Sequence, residues 1–186
     1  MASSRFWNSA ELQPKRKFRW IIELGLSDST TLQYAAKTVN KPNYTLTGTK
    51  HKFLNHTFNF PNRVEWQPIT LTMVDHVGPE GLGSSVTDIL FGKLVGSGYH
   101  NPSSVENCSF SVTKKASSAV LGEVTIKQLG GGDGDLAPLT LETWSLKNPW
   151  ISKVTWGDLS YEDDGLVEIT VELTYDFADL NGALGK

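Results

Sequence analysis

A run of strict alternation near the end of the chain constrains its fold more than any other feature. Over residues 166–177, Val167, Ile169, Val171, Leu173, Tyr175 and Phe177 alternate with Glu168, Thr170, Glu172, Thr174 and Asp176. Successive side chains of a strand point to opposite faces of its sheet, so this pattern builds one buried and one wet face. On a helix the same residues would scatter around the cylinder. Phe18, Trp20, Ile22 and Leu24 form a similar stripe, as do Ile69, Leu71 and Met73, and Val120, Val124 and Ile126. Shorter strand candidates are 33–37, 54–60, 139–144 and 153–156. Thr, Val, Ile and aromatic residues dominate these runs, as half-buried pleated surfaces prefer.

One segment changes period. Val86, Ile89, Leu90 and Leu94 recur at helical spacing, which predicts a short amphipathic helix buried against a sheet or a neighbouring subunit. Ser84 or Ser85 is placed to cap it, Asp88 lies near its positive end, and Gly96 is a natural stop. Gly92 weakens it by roughly 1 kcal/mol relative to Ala. Turn residues mark loops at 41–43, 78–81, 96–104 and 130–135, and Glu162, Asp163, Asp164 and Gly165 read as a hairpin turn. With no internal repeat and no long linker, the expected fold is mainly β: a single-domain β-barrel or sandwich over 1–186 with one flanking α-helix.

Composition narrows the function classes. The 17 basic and 20 acidic side chains leave a formal net charge of −3. Proteins that grip nucleic acid by its phosphates carry a basic excess, so tight non-specific DNA binding is not expected. The single cysteine, Cys108, rules out an intrachain disulfide framework. The first residues lack the apolar core of a signal peptide, and no apolar run approaches the roughly 18 residues of a membrane span, so membrane insertion is not expected.

Candidate chemistry is sparse. The run from Gly130 to Asp135, with Asp133 and Asp135, has the look of one unit of a calcium-binding β-roll; one unit supplies too few oxygens, and a solvated loop is the expectation. Glu162, Asp163 and Asp164 have no His or Cys beside them to complete a metal site. His51, His56, His76 and His100 show no zinc-type spacing, and no nucleophile elbow or phosphate-binding loop occurs. No catalytic residue, cofactor or metal is therefore assigned. Of the six Trp residues, Trp20, Trp66, Trp144 and Trp156 lie in or beside strands, where large rings serve the core, an interface or a sugar-stacking platform.

Three stretches, in order, resemble the tail-tube family of T4-like contractile-tailed bacteriophages. The first is 33–42, a strand-like run ending in Lys41-Pro42. The second is 63–75, where Trp66 precedes an alternating strand that ends on Asp75, just before the helix. The third begins at Leu146, runs through Trp150, Trp156 and Asp158, and continues to Phe177. Departures are an N-terminal extension, residues 1–16, and the Gly-rich insertion near Gly131. The resemblance implies a non-enzymatic virion protein, assembled in the host cytoplasm. Its subunits close into hexameric rings through shared hairpins, and the rings stack into a tube. The tube would contact a sheath, a baseplate and a tail terminator, and would pass DNA transiently and without sequence preference. The wet face of Glu168, Thr170, Glu172, Thr174 and Asp176 is the candidate channel lining, and the helix carries lateral contacts. A baseplate tube initiator and an injection-system inner tube are the alternatives within this class. A carbohydrate-binding β-sandwich and a small-ligand β-barrel are those outside it.

Overall fold

The alternating run does form a strand, in the interior of a sheet. The computed structural model describes residues 14–25, 29–76, 85–102, 111–131 and 140–182. Along the chain lie β1 (Trp20–Leu24), α1 (Ser29–Ala35), β2 (Ala36–Val39), β3 (Asn43–Phe53), β4 (His56–Gln67) and β5 (Ile69–Val74). They are followed by α2 (Val86–Gly96), α3 (Lys114–Leu121), β6 (Val124–Leu129), β7 (Thr140–Lys147), β8 (Trp150–Thr155), β9 (Glu168–Thr174) and β10 (Phe177–Gly182). Most of the first 16 residues, the 78–81 loop, Ser84, Cys108, Asp133 and Asp135 lie outside the described residues.

Two four-stranded antiparallel sheets, ordered β1-β6-β7-β10 and β2-β5-β9-β8, share one core. Ile169, Val171 and Leu173 lie opposite Met73, Leu71 and Ile69, and all six are buried. Ile22, Leu24, Val124, Ile126 and Leu146 come from the other sheet, and Leu32, Val86, Ile89, Leu90 and Leu121 from the helices. Each such fully buried aliphatic side chain contributes about 1.5–3 kcal/mol. The sheets do not close into a barrel, so each keeps two open edges.

The helix expected at 85–95 is α2. Ser85 caps it: its Oγ accepts from the Asp88 N–H at 3.2 Å. Asp75 holds the same end from the strand side, accepting from the Thr87 N–H at 3.4 Å and the Thr87 hydroxyl at 2.8 Å. The acidic residue closing the 63–75 stretch is thus an anchor for the helix N-terminus.

Four sequence expectations need correction. Among the described residues there are three helices rather than one. The 33–37 strand is the end of α1 followed by the start of β2; Leu32 and Ala35, three apart, are both buried, which is helical spacing. Val120 belongs to α3, not to the stripe of Val124 and Ile126; Thr113 caps α3 by accepting from the Ala116 N–H at 3.2 Å, and Gly122 stops it. Finally, the 166–177 run is two elements. β9 ends at Thr174, the Asp176 N–H donates to the Lys147 carbonyl at 3.0 Å, and the chain crosses to the other sheet as β10. Tyr175 and Ala178 on either side of the bend are buried in the shared core, whereas Phe177 is exposed.

Candidate assembly surfaces

The least expected element is an arm. Among the described residues, β3 and β4, 11 and 12 residues long, pair only with each other. Every residue of both strands is exposed except Thr47 and Trp66, which are half-buried. Leu54, at φ +51°, lies in the tight turn between them. Sequence reasoning placed a strand at 54–60 but missed β3 and the turn. The reason is physical: an unburied strand is under no demand for a continuous apolar face, so the period-two signal is absent.

What the arm presents is set by a β-bulge. Leu46 lies opposite Val64 and Gly48 opposite Pro61, so Asn62 and Arg63 together face Thr47. The Thr47 hydroxyl stitches the bulge, donating to the Arg63 carbonyl and accepting from the Arg63 N–H, both at 3.3 Å. One extra residue inverts the alternation of β4 beyond it. Near the root, Tyr44, Leu46, Val64 and Trp66 therefore share one face. Further out, Phe53, Phe58 and Phe60 share the opposite face with His51 and His56, while Lys50 and Lys52 project from the first. The root is pinned to the body by aromatic contacts: Tyr44 meets Trp66 edge-on at 5.6 Å, and Trp66 meets Tyr175 at 5.9 Å. The distal phenylalanines are all exposed.

The candidate channel lining is brought together only in part. Glu168, Thr170, Glu172 and Thr174 lie on the outward face of β9, each half-buried. Thr170 stands between Thr72 of β5 and Thr155 of β8, and Glu172 between Thr70 and Lys153. Both glutamates have cationic neighbours: Glu168 pairs with Lys37, and Glu172 lies 3.7 Å from Lys153. Asp176 does not share this face. It lies in the bend, where the Lys114 ammonium and the Asn148 amide, each at 2.7 Å, hold its carboxyl below the usual range.

Of the helix residues, Val86, Ile89 and Leu90 are buried. Leu94 is not buried within the chain: it is 42% exposed. It lines an apolar groove of about 310 Å³ between α2, α3 and β8, together with Val112, Val120 and Trp156. The groove leaves Leu94 partly uncovered within the chain, unlike Val86, Ile89 and Leu90.

Among the described residues no three potential ligands cluster as a metal site, and Asp163 instead accepts from the Gly165 N–H at 2.9 Å within its own turn. Trp20, Trp66 and Trp144 pack partly against the core, while Trp156 is exposed. Glu142 has the most enclosed ion pairs. Burial pushes its carboxyl up, but hydrogen bonds and charge from Lys15 and Lys41 outweigh this and leave it below the ordinary range.

No protein-family model matches the chain, and no curated protein matches it by sequence. Solved structures match by shape. A chain in the 6-fold symmetrised cryo-EM structure of the anti-feeding prophage baseplate gives a TM-score of 0.62 at 15% identity, covering 93% of this chain and 99% of that one. One from the PVC sheath/tube terminator of an extracellular contractile injection system, in the extended state, gives 0.62 at 16% identity over 93% and 100%. One from the tube-terminating cap of the anti-feeding prophage gives 0.63 at 13% identity over 98% and 100%. At these identities the finding is a shared fold across nearly the whole chain.

Proposed function

We propose that this chain is a structural, non-enzymatic subunit of the inner tube of a contractile tail, a single tail-tube domain that closes into hexameric rings which stack. The observation that carries this reading is the arm. A two-stranded hairpin alone is marginal in water, and this one also exposes three phenylalanines and leaves both edges unpaired. Apolar surface on an open edge is an association surface, and a second copy of the chain is the partner always present at equal concentration. The shared fold with chains of the anti-feeding prophage and of an extracellular contractile injection system supports the same reading. Sheath, baseplate and terminator proteins are the further partners it implies.

For a contractile-tailed phage, the cargo is DNA and the location is the virion. The outward face of Glu168, Thr170, Glu172 and Thr174 suits a lumen that repels phosphate, and the net charge of −3 agrees. An injection-system inner tube, passing protein rather than DNA, is the second reading. The shared fold with chains of an extracellular contractile injection system favours it.

The test is assembly. Light scattering after size exclusion, with negative-stain images over a concentration series, is expected to show hexamers, rings and then tubes. A monomer at every concentration overturns the proposal. Particles from producing cells separate the two readings: DNA-filled heads mark a phage, headless contractile particles an injection system.

A further inference from the structure

The arm carries a local excess of positive charge. Elsewhere, Lys15, Lys37, Lys41, Lys114, Lys127, Lys147 and Lys153 each lie within ion-pair distance of a carboxylate, whereas Arg16, Lys17, Arg19, Lys93 and Lys115 have no ion pair among the described residues. On the arm, Lys50, Lys52 and Arg63 have no ion pair among the described residues, and Glu65 is the one acidic residue beside them.

The opposite imbalance lies between β8 and β9. Residues 156–167 hold Asp158, Glu162, Asp163 and Asp164 and no Lys or Arg. None of these four carboxylates forms an ion pair among the described residues. The segment is also apolar at its surface: Leu159, Tyr161 and Leu166 are largely exposed. Soluble surfaces do not usually concentrate bare acids and bare apolar side chains together unless something covers them.

We propose that the arm of one copy docks on the 156–167 segment of the next copy, along the free edge of β3. This rests on the self-assembly reading above and names the surfaces that carry it. The β3 edge is the suited one because it has no proline, whereas Pro61 removes a donor from the edge of β4. From that edge Phe53 and His51 lie to one side and Lys50 and Lys52 to the other. A partner carrying Leu159 and Tyr161 beside Asp163 and Asp164 matches both sides. The two surfaces differ, so the contact is head-to-tail, and a head-to-tail contact either closes a ring or propagates. Matching charge steers the encounter and fixes its register, while the apolar residues hold it.

The test is charge reversal and its rescue, at low ionic strength because screening acts beyond about 8–10 Å. Lys50→Glu with Lys52→Glu, and separately Asp163→Lys with Asp164→Lys, are each expected to raise the concentration needed for assembly about tenfold or more. Both substitutions are on exposed side chains, and circular dichroism with a melting curve checks that each variant folds. The two variants mixed in equal amounts are expected to co-assemble in alternation, because the acidic arm of one meets the basic segment of the other. In a Cys108→Ser background, Phe53→Cys with Leu159→Cys is expected to give intermolecular disulfides on mild oxidation. Wild-type assembly with neither reversal having an effect, or with no rescue on mixing, overturns this docking while leaving the self-assembly reading intact. A wild type that stays monomeric overturns both.

Discussion

The Trp66 and Tyr175 rings lie 5.9 Å apart, tilted by 55°, and join the root of the arm to the bend between the two sheets. Trp66 belongs to β4 and Tyr175 follows β9, so this contact couples an otherwise free-standing hairpin to the core. Trp66→Ala removes it together with the edge-on contact to Tyr44. Because Trp66 is half-exposed, the expected loss is roughly 2–4 kcal/mol, at or below that of a fully buried ring. Assembly is expected to suffer more than folding; urea melts beside light scattering measure the two separately.

Gly122 ends α3 at φ +71° and ψ −156°, a region open essentially to glycine, and a Cβ there would meet the Gly25 carbonyl oxygen at 2.8 Å. Gly122→Ala is expected to cost about 2 kcal/mol or more. Gly92 is the converse: a Cβ in α2 meets nothing within 4 Å. Gly92→Ala is expected to stabilise the chain by about 0.5–1 kcal/mol. Thermal melts of the two variants should move in opposite directions.

Leu90 and Leu94 share α2 but not its burial. Leu90 is 5% exposed, so Leu90→Asp forces a charge or a neutralised acid into the core and is expected to cost roughly 4 kcal/mol or more. Leu94→Asp, at a half-covered site in the last turn where an acid opposes the helix dipole, is expected to cost less, about 1 kcal/mol, and to impair assembly through the groove. Soluble yield and circular dichroism read the first, sedimentation the second.

Glu142 should give stability a dependence on acid. Its folded carboxyl titrates below its ordinary value of 4.5, so its contribution is present above that pH and is lost as pH falls through the lower folded value. Glu142→Gln is expected to lower stability by about 1–2 kcal/mol at neutral pH and to flatten the fall in melting temperature below pH ~4.5. Equal slopes for the two proteins would remove Glu142 as the source.

On the proposed lumen face, Glu168→Lys with Glu172→Lys breaks only surface pairs, with Lys37 and Lys153, so assembly is expected to persist. Wild-type tubes are expected not to retain duplex DNA near physiological salt, and tubes of the double variant to hold it in a salt-dependent way. Retention by the wild type, or none by the variant, counts against this face as the lining.

Much of the body was legible because its strands are half-buried. Ile69, Leu71 and Met73, and Ile169, Val171 and Leu173, had to alternate with polar residues once a core lay on one side, and α2 announced itself by the 3.6-residue spacing of Val86, Ile89 and Leu90 with a serine before it. What periodicity could not show is where one element hands over to the next. Apolar alternation runs across the bend at Asp176 because Phe177 is apolar although exposed, while burial shifts from Tyr175 to Ala178, so only the pairing of β10 with β7 reveals the crossing. The arm was legible only in its 54–60 strand, for the opposite reason. With no core on either side, local pattern carries no record of burial, and the bulge at Asn62 and Arg63 turns the apolar face over midway. Element type in the half-buried strands and in α2 was thus determined by sequence, through the demand that one face be dry, whereas α1 and α3 were not read as helices. The sheet crossing, the free-standing arm and the exposure of Leu94 were decided by tertiary structure, because they depend on which distant strand supplies the hydrogen bonds and which surface is left uncovered.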